Sequence, residues 1–531
     1  MIAQVIINSN VKDLNRIFDY NVPSDMQGTI CVGNRVLVQF GNKKELDEGF
    51  VIGFKENSEY KLKDIVKIQE GISLTEENIE LAKLMARRYF CNISDCIKLM
   101  LPPGTLNKNI ENRVKEKNAK FIFLKKDEEE IKDEIENKII KSPKHIRVLK
   151  FLIDNDGIQT IDLMLYADVS NGILKTLEKN GYIEIIEKQV ERNPFINKKI
   201  TQTKNLELNK EQQQAFDKVN ECIQNHKFKE FLLYGVTGSG KTEIYLQLIG
   251  ETIKKNKTAI VLVPEISLTP QMVDRFMARF GEENIAVLHS KLSIGERYDQ
   301  WMKIKRGECK IVIGARSAIF APVNNLGLII IDEEHDSSYK SDSNPRYNAK
   351  ELGAYIAKTK EIPIVLGSAT PDMNSYYNAT SNKVELLKLT SRANKSCLPD
   401  VEVVDLRQEL INGNRSILSV SLYNAIEQNL KSKKQTILFL NRRGYSTFVM
   451  CRDCGYTVKC KNCNITMTYH LTENRLKCHY CGYELKNINI CPECQSHNVK
   501  YFGTGTQRLE DEIKKIFPTA TTIRMDIDTV S

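Results

Sequence analysis

Phe231-Leu-Leu-Tyr-Gly235-Val-Thr-Gly-Ser-Gly-Lys241-Thr242-Glu-Ile-Tyr-Leu-Gln-Leu248 runs from a short apolar strand through a glycine-rich turn into a helical stretch. Its middle fits G-x-x-x-x-G-K-[ST], and the strand before it and helix after it are the context that gives the motif meaning. Glycines at 235, 238 and 240 let backbone N–H groups wrap a phosphate, and the helix N-terminus adds a favourable dipole. Lys241 is expected to pair with the β- and γ-phosphates of ATP, and Thr242 to hold Mg²⁺.

Downstream, Leu328-Ile-Ile-Ile331 reads as a buried strand ending in Asp332-Glu333. Asp332 suits contact with Mg²⁺, and Glu333 suits the base that orients an attacking water. Thr258–Val263, Lys310–Ile313 and Ile364–Leu366 are further strand candidates separated by helical stretches, the pattern of a parallel α/β sheet. A second set of strands is expected to begin at Gln435-Thr-Ile-Leu-Phe-Leu440.

The regions on either side differ. Residues 1–104 read as short strands, with Val36–Gly41 and Gly49–Gly53 bounded by glycine, then a helix near Glu76–Phe90 and a stop at Pro102-Pro103-Gly104. Residues 105–142 are rich in Lys, Glu and Asn and suit a linker or exposed connection. Residues 143–200 read as helix, helix, strand, which fits a winged-helix module or a plain helical spacer. The lobe with the phosphate loop is placed at 205–394, and a further unit at 395–531 with a cysteine-rich insertion at 448–497.

That insertion holds four C-x-x-C pairs: Cys451/Cys454, Cys460/Cys463, Cys478/Cys481 and Cys491/Cys494. Two such knuckles supply the four thiolates of a tetrahedral zinc site, so eight cysteines imply two Zn²⁺ ions. The 14 residues between Cys463 and Cys478 are close to a ribbon spacing, whereas the five between Cys454 and Cys460 leave little room to fold two knuckles together. Nested sites follow, with the inner pairs sharing one ion and the outer pairs the other. An iron–sulfur cluster is the rival. His470, His479 and His497 are unnecessary as ligands. The remaining six of the 14 cysteines have no metal spacing and are expected to be packed residues, as is Trp301.

The 531 residues suit several domains, and 41% hydrophobic composition supports real cores. A net charge of +9 is compatible with an anionic partner. The opening Met1-Ile-Ala-Gln-Val-Ile-Ile-Asn has no basic leader, and no stretch approaches the roughly 18 apolar residues of a membrane span. A cytoplasmic location is therefore expected, where cysteines serve as ligands rather than disulfides.

Asp332-Glu-Glu-His335 with Gly367-Ser-Ala-Thr370 resembles helicase superfamily 2. Leu262-Val-Pro-Glu-Ile-Ser-Leu-Thr-Pro-Gln271, Gly314-Ala-Arg-Ser-Ala-Ile-Phe-Ala-Pro322, Asp332–Lys340 and Phe439-Leu-Asn-Arg-Arg-Gly-Tyr445 are similar, within it, to the bacterial primosomal replication-restart helicases. The resemblance implies RecA-like lobes, an N-terminal β-rich domain that binds a DNA 3′ end, a winged-helix domain and the nested zinc arrangement.

It also implies residue roles. Gln212 would read adenine. Tyr339, Arg346 and Tyr347 would lie in an aromatic-rich loop that couples DNA contact to ATP turnover. Phe18 would stack on a terminal base and Asp19 touch its edge, with Tyr20, Gly41 and Lys63 in the same pocket. The implied activity is ATP-dependent 3′→5′ unwinding at stalled forks. Implied partners are branched and single-stranded DNA, single-strand-binding protein and helicase-loading proteins. The family pattern continues past Ser531 into more of the second lobe, so a truncated chain is expected. An ATP-binding, fork-recognising scaffold with little unwinding is the alternative, and an RNA-directed motor of the same superfamily is a third reading.

Overall fold

The computed structural model describes residues 1–8, 16–41, 45–58, 61–69, 72–102, 118–155, 157–160, 163–164, 167, 169–189, 201–265, 270–393, 399–440, 448–470, 475–478, 480–502 and 506–525. The chain forms two compact units, Met1–Cys397 and Leu398–Ser531.

The first unit begins with β1 (Ile2–Ile7), β2 (Ile17–Asn21), β3 (Arg35–Val38), β4 (Asp47–Lys55) and β5 (Ile65–Ile68). They form an antiparallel sheet in the order β2-β1-β4-β3-β5, which leaves β2 on an edge. Helices α1 (Glu76–Arg88) and α2 (Ile93–Leu99) follow. Thr75 starts α1 with a reciprocal capping box to Asn78. The helix stops at Arg88, short of the expected Phe90, which takes a left-handed backbone (φ +50°) and turns the chain into α2. Met85, Ile97 and Met100 of this region share one core with Ile260, Val312 and Ile329 of the parallel sheet below.

Next come β6 (Asn118–Leu124), α3 (Glu128–Glu136), α4 (Pro143–Asp154), β7 (Ile158–Gln159), α5 (Asn171–Lys179) and β8 (Ile183–Gln189). Here the expectation of a linker through residue 142 is corrected from Asn118 onward. β6 lies between β7 and β8, and Ile122 and Ile131 are buried with Leu149, Leu174 and Leu177. The charged residues of α3 cover the outer face of that core, which is why composition alone suggested a solvated connection. Residues 103–117 and 190–200 lie outside the described residues.

The elements α6 (Lys210–Asn225), β9 (Lys229–Gly235), α7 (Lys241–Lys254), β10 (Thr258–Leu262), α8 (Pro270–Phe280), β11 (Ile285–Leu288), α9 (Ile294–Arg306), β12 (Ile311–Gly314), β13 (Leu326–Ile331), α10 (Ala349–Thr359), β14 (Pro363–Ser368), α11 (Met373–Thr380) and β15 (Glu385–Leu389) complete the unit. Seven parallel strands lie in the order β11-β12-β10-β13-β14-β9-β15. Their near-continuous apolar runs are what a sheet covered on both faces requires. β11 and β15 were not anticipated, being short segments with no distinctive flanks.

The second unit contains α12 (Leu406–Ile411), α13 (Val420–Lys431), β16 (Phe448–Cys451), β17 (Thr468–His470), β18 (Arg475–Lys477), β19 (Glu484–Lys486), β20 (Val499–Phe502) and α14 (Thr506–Ile516). Leu418, Ile426, Ile513 and Phe517 form a small core, with Tyr423 stacked on Phe517 at 5.0 Å. The strand expected at Gln435–Leu440 is not formed: Ile437 and Phe439 are 92% and 84% exposed. An apolar run becomes a strand only when a neighbour takes up its backbone hydrogen bonds, and no described residue does so. Residues 441–447 and 503–505, which carry parts of two motif strings, lie outside the described residues. No helix among the described residues is long and apolar enough to cross a membrane.

Candidate functional site

The phosphate loop spans β9 and α7 at the C-terminal edge of the parallel sheet. Gly238 and Gly240 take φ +81° and +84°, a left-handed backbone that only glycine adopts at little cost. A Cβ on Gly240 would also lie 2.4 Å from Nε2 of Gln212. Gln212 is buried and occupied at both ends. Its Oε1 accepts from Asn209 N at 2.8 Å, closing the N-terminal box of α6, and its Nε2 donates to Ser239 O at 2.8 Å. The side chain thus ties α6 to the loop. Lys241 Nζ donates to Gly235 O at 2.8 Å, and partial burial pulls its ammonium below the usual lysine range. Thr242 follows in the first turn of α7, half-buried.

β14 separates β9 from β13, so Gly367 and Ser368 sit between the loop and Asp332. Tyr245, on α7, crosses that gap and donates to Asp332 Oδ1 at 3.0 Å. Burial, then the neighbouring Glu333, pushes the Asp332 carboxyl above its ordinary range. A bound cation would reverse that pressure by favouring the carboxylate. Glu333 has φ +44°, a left-handed conformation rare outside glycine and found where function holds a residue in place. Its Oε2 lies 3.6 Å from Nδ1 of His335, which in turn bonds Ser368 Oγ at 2.8 Å. Ser368 Oγ also accepts from Thr370 N at 2.9 Å.

Sequence reasoning assigned no role to Glu334, Tyr245 or Lys350. Glu334 is fully buried, and its carboxylate takes Lys350 Nζ at 2.8 Å, Asp372 N at 2.7 Å and Ser375 Oγ at 2.8 Å. A charge so placed is sustained only by such partners. It binds the acidic motif to the segment after Gly367-Ser-Ala-Thr370. The adjacent acidic residue was visible in the sequence, but the lysine that answers it is 16 positions away on α10.

Gly367 offers a sharp test of this packing. A Cβ there would lie 1.6 Å from the Tyr245 hydroxyl oxygen. Gly367→Ala is expected to destabilise the first unit by about 1–3 kcal/mol, the usual cost of overpacking. Tyr245→Phe deletes the clashing atom, so the double variant should be less destabilised than the sum of the singles. Urea unfolding of the four proteins in a double-mutant cycle measures this; additive costs would contradict the contact.

Two rings proposed to meet DNA are not available to stack on bases. Tyr339 and Tyr347 are 1% and 3% exposed. The Tyr339 hydroxyl lies 2.5 Å from Asp332 O and 3.1 Å from Leu262 O, and its single proton can serve one carbonyl at a time. Tyr347 packs edge-on against Phe320 at 5.0 Å, with the Arg316 guanidinium 5.6 Å from its ring. Arg316 also donates to Ser338 O and Lys340 O at 3.0 and 2.5 Å. The loop is held by its own aromatics, whose apolar area favours burial over display. Arg346 is exposed. Beside this loop lies a cleft of about 690 Å³ with Lys98, His289, Arg297, Trp301 and Arg316 on its walls. Arg297 Nε is buried there without a hydrogen-bond partner among the described residues. Trp301 is buried, as expected.

In the N-terminal sheet, Phe18 lies 4.9 Å from Phe40 in an edge-to-face pair, with the Arg16 guanidinium 5.2 Å from its ring. Lys63 Nζ donates to Gly41 O, and Asn21 N donates to Lys63 O at 2.9 Å. These contacts gather Phe18, Gly41 and Lys63 at edge strand β2. Asp19 is paired with Lys55 and, by strand alternation, points to the face opposite Phe18. Tyr20 is a correction: it is 4% exposed within the sheet's core, and burial, then Asp47, pushes its phenol up to about 12.

The eight knuckle cysteines form two groups whose sulfurs all lie within 4.8 Å of one another: Cys451, Cys454, Cys491 and Cys494, and Cys460, Cys463, Cys478 and Cys481. Sγ–Sγ distances of 3.5 Å (Cys451–Cys494, Cys454–Cys491) and 3.6 Å (Cys460–Cys481) approach the about 3.8 Å edge of a tetrahedron with zinc–sulfur bonds of about 2.3 Å. All four knuckles share one backbone. The residue after each second cysteine (Gly455, Asn464, Gly482, Gln495) has φ between +55° and +76° and donates its N–H to the first cysteine's carbonyl at 2.8–3.0 Å. Two of the four are glycine, whereas Asn464 and Gln495 take the same left-handed backbone with a side chain. Four thiolates on such rigid knuckles fit zinc, and neither group includes a histidine. The His470 side chain and His479 lie outside the described residues. Of the other cysteines, Cys96, Cys222 and Cys309 are buried, whereas Cys31 is exposed, against the expectation of packing.

Comparison with known proteins gives three family matches. Residues 4–102 match the 3′ DNA-binding domain of PriA, residues 205–373 match the type III restriction enzyme res subunit, and residues 460–486 match the Cys-rich region domain of PriA DNA helicase. The replication restart protein PriA of Bacillus subtilis (strain 168) is 41% identical over 100% of this chain and 73% of its own length. The proteins of the same name from Chlamydia muridarum and Haemophilus influenzae are 37% and 36% identical, over 99% and 98% of this chain and 70% and 69% of their own lengths.

Proposed function

This chain belongs to the PriA replication restart family, and on that premise we propose that it is an ATP-dependent 3′→5′ DNA helicase that recognises stalled forks and starts replication again. The observation that carries the reading is the convergence of Lys241, Asp332 and Glu333 at one sheet edge, in the chain that also presents the Phe18–Phe40 edge.

ATP would lie on the phosphate loop, with Lys241 on the β- and γ-phosphates and Gln212 beside the adenine. Mg²⁺, held by Thr242 and Asp332, would neutralise charge on the phosphates. Glu333 would orient the attacking water. The Tyr339 hydroxyl, shared between the Asp332 and Leu262 carbonyls, and the bond between His335 and Ser368 would carry the change at the phosphates into the loop that holds Tyr347. DNA phosphate would then meet Arg346 and the cleft walls. Residues 1–104 would hold a nascent 3′ end, 105–200 would form the winged-helix part, 205–394 the first lobe and 395–531 a partial second lobe with its zinc-bearing insertion at 448–497. That insertion would bind two Zn²⁺ and dock single-strand-binding or helicase-loading proteins.

ATP hydrolysis and strand separation by this chain on forks with and without a 3′ end at the junction test the reading. Faster turnover and unwinding on the fork with the 3′ end are expected. No DNA-stimulated turnover on any fork, or preference for RNA over DNA, would refute it. Phe18→Ala should weaken binding to that fork by about 1–3 kcal/mol, the worth of one base stack, while leaving ends-blocked DNA unaffected. Fluorescence anisotropy titrations compare the two. The exposed Ile437 and Phe439 favour a second reading: this chain binds ATP and the fork but unwinds little, in which case fork binding would survive Lys241→Ala while unwinding by the unaltered chain is negligible.

A further inference from the structure

Cys91 lies in the turn between α1 and α2 and Cys96 inside α2, and their sulfurs are 3.4 Å apart. Cys96 is fully buried, and Cys91 is partly open to solvent. On either side of the pair, Tyr89 at the end of α1 and Asp95 of α2 touch the start of α10 and the loop before it. Tyr89 OH lies 3.1 Å from Glu351 Oε2 and accepts from Asn348 N at 3.4 Å. Asp95 Oδ2 accepts from Asn344 Nδ2 at 3.2 Å. The pair therefore sits at the seam through which the N-terminal domain meets the loop holding Tyr347.

We propose that Cys91 and Cys96 are a redox-responsive dithiol that closes to an intrachain disulfide when met by a low-molecular-weight disulfide such as oxidised glutathione. The bond from Cys96 holds the Cys91 thiol below the ordinary thiol range, whereas that same bond and burial raise Cys96. Cys91, the partner that is open to solvent, is accordingly the attacking thiolate, and Cys96 is shielded from solvent. It displaces one glutathione thiolate to form a mixed disulfide. Cys96, losing its proton to that leaving thiolate, attacks the Cys91 sulfur and displaces the second. The dithiol loses two electrons and two protons, and one oxidised glutathione becomes two reduced ones. A disulfide of about 2.05 Å requires the sulfurs to approach by more than ~1 Å. That movement shifts the first turn of α2 and so loosens Asp95 from Asn344.

The full chain, equilibrated in oxidised or reduced glutathione, alkylated and cut with trypsin, tests this. Cleavage after Arg88 and Lys98 places both cysteines in one peptide, Tyr89–Lys98, separate from every zinc knuckle. The oxidised sample should yield this peptide unalkylated and about 2 Da lighter than the free dithiol. Cys96→Ser should trap glutathione on Cys91, and Cys91→Ser should leave Cys96 unmodified. Full alkylation of both cysteines in oxidised buffer, or glutathione on Cys96 in Cys91→Ser, would overturn the proposal. Hydrogen exchange over residues 341–348 should quicken on oxidation and return with dithiothreitol. Unchanged exchange in a sample shown to carry the disulfide would overturn the link to the loop.

Discussion

Lys241→Ala is expected to lower DNA-stimulated ATP turnover by at least about 10²-fold, the usual consequence of removing one preorganised charge from a phosphoryl-transfer site. The physical basis is burial. Partial burial lowers the Lys241 ammonium from the usual lysine range while Asp332 and Glu333 favour it, so its charge acts in a medium of reduced screening and is worth more than at the surface. The fold should survive. Lys241 opens a helix of 14 residues, alanine is a good helix former, and the lysine's contact in the structure is one bond to its own loop. Steady-state hydrolysis with and without forked DNA, beside thermal unfolding, separates the effects. Turnover within a few-fold of the unaltered chain would remove the phosphate loop from the mechanism. A collapse in unfolding temperature would instead make the lysine structural.

Removing metal from the cysteine-rich segment should have the largest effect on stability. Among the described residues its core is seven buried side chains, including Val449, Met467 and Leu476, under strands of three or four residues. Strands that short do not hold together by apolar burial. Structural zinc in small peptides contributes about 10–16 kcal/mol at neutral pH, so a strong chelator should unfold this segment. The first unit should keep its fold, because its sheet has its own large core. Metal stoichiometry also reads the pairing. Cys451→Ser with Cys491→Ser should remove one zinc of two, and Cys451→Ser with Cys478→Ser should remove both. If sequential knuckles shared an ion, Cys478→Ser with Cys491→Ser would remove only one. Elemental analysis of the purified variants decides between the arrangements.

The misplaced expectations share a cause. Tyr339 and Tyr347 were placed by resemblance in a loop that meets DNA, and whether an aromatic in such a loop is displayed or buried is decided only by its packing. The strand expected at Gln435–Leu440 fails because pairing is a property of two segments, and one segment's sequence holds only half of it. Composition misjudged Asn118–Glu136 in the opposite sense: charged surroundings concealed Ile122 of β6 and Ile131 of the charged helix α3, which anchor a core. Tyr20 sits in a strand where every second residue turns inward, and edge placement alone did not say which.

The sequence by itself determined the phosphate loop, the acidic pair at the end of its strand, and the eight thiolates with their nested grouping. The loop, the acidic pair and each single knuckle are local signals, set by left-handed glycines, a helix N-terminus and C-x-x-C spacing, and the nested grouping follows from the lengths of chain between the knuckles. Only the tertiary structure decided that β14 lies between β9 and β13, that Gly367 must be glycine so that Tyr245 can reach Asp332, and that Lys350 answers Glu334. These are choices among distant segments. They are set by which packed arrangement buries the apolar strands while leaving each buried polar group a partner, and no short stretch of sequence holds both sides of that choice.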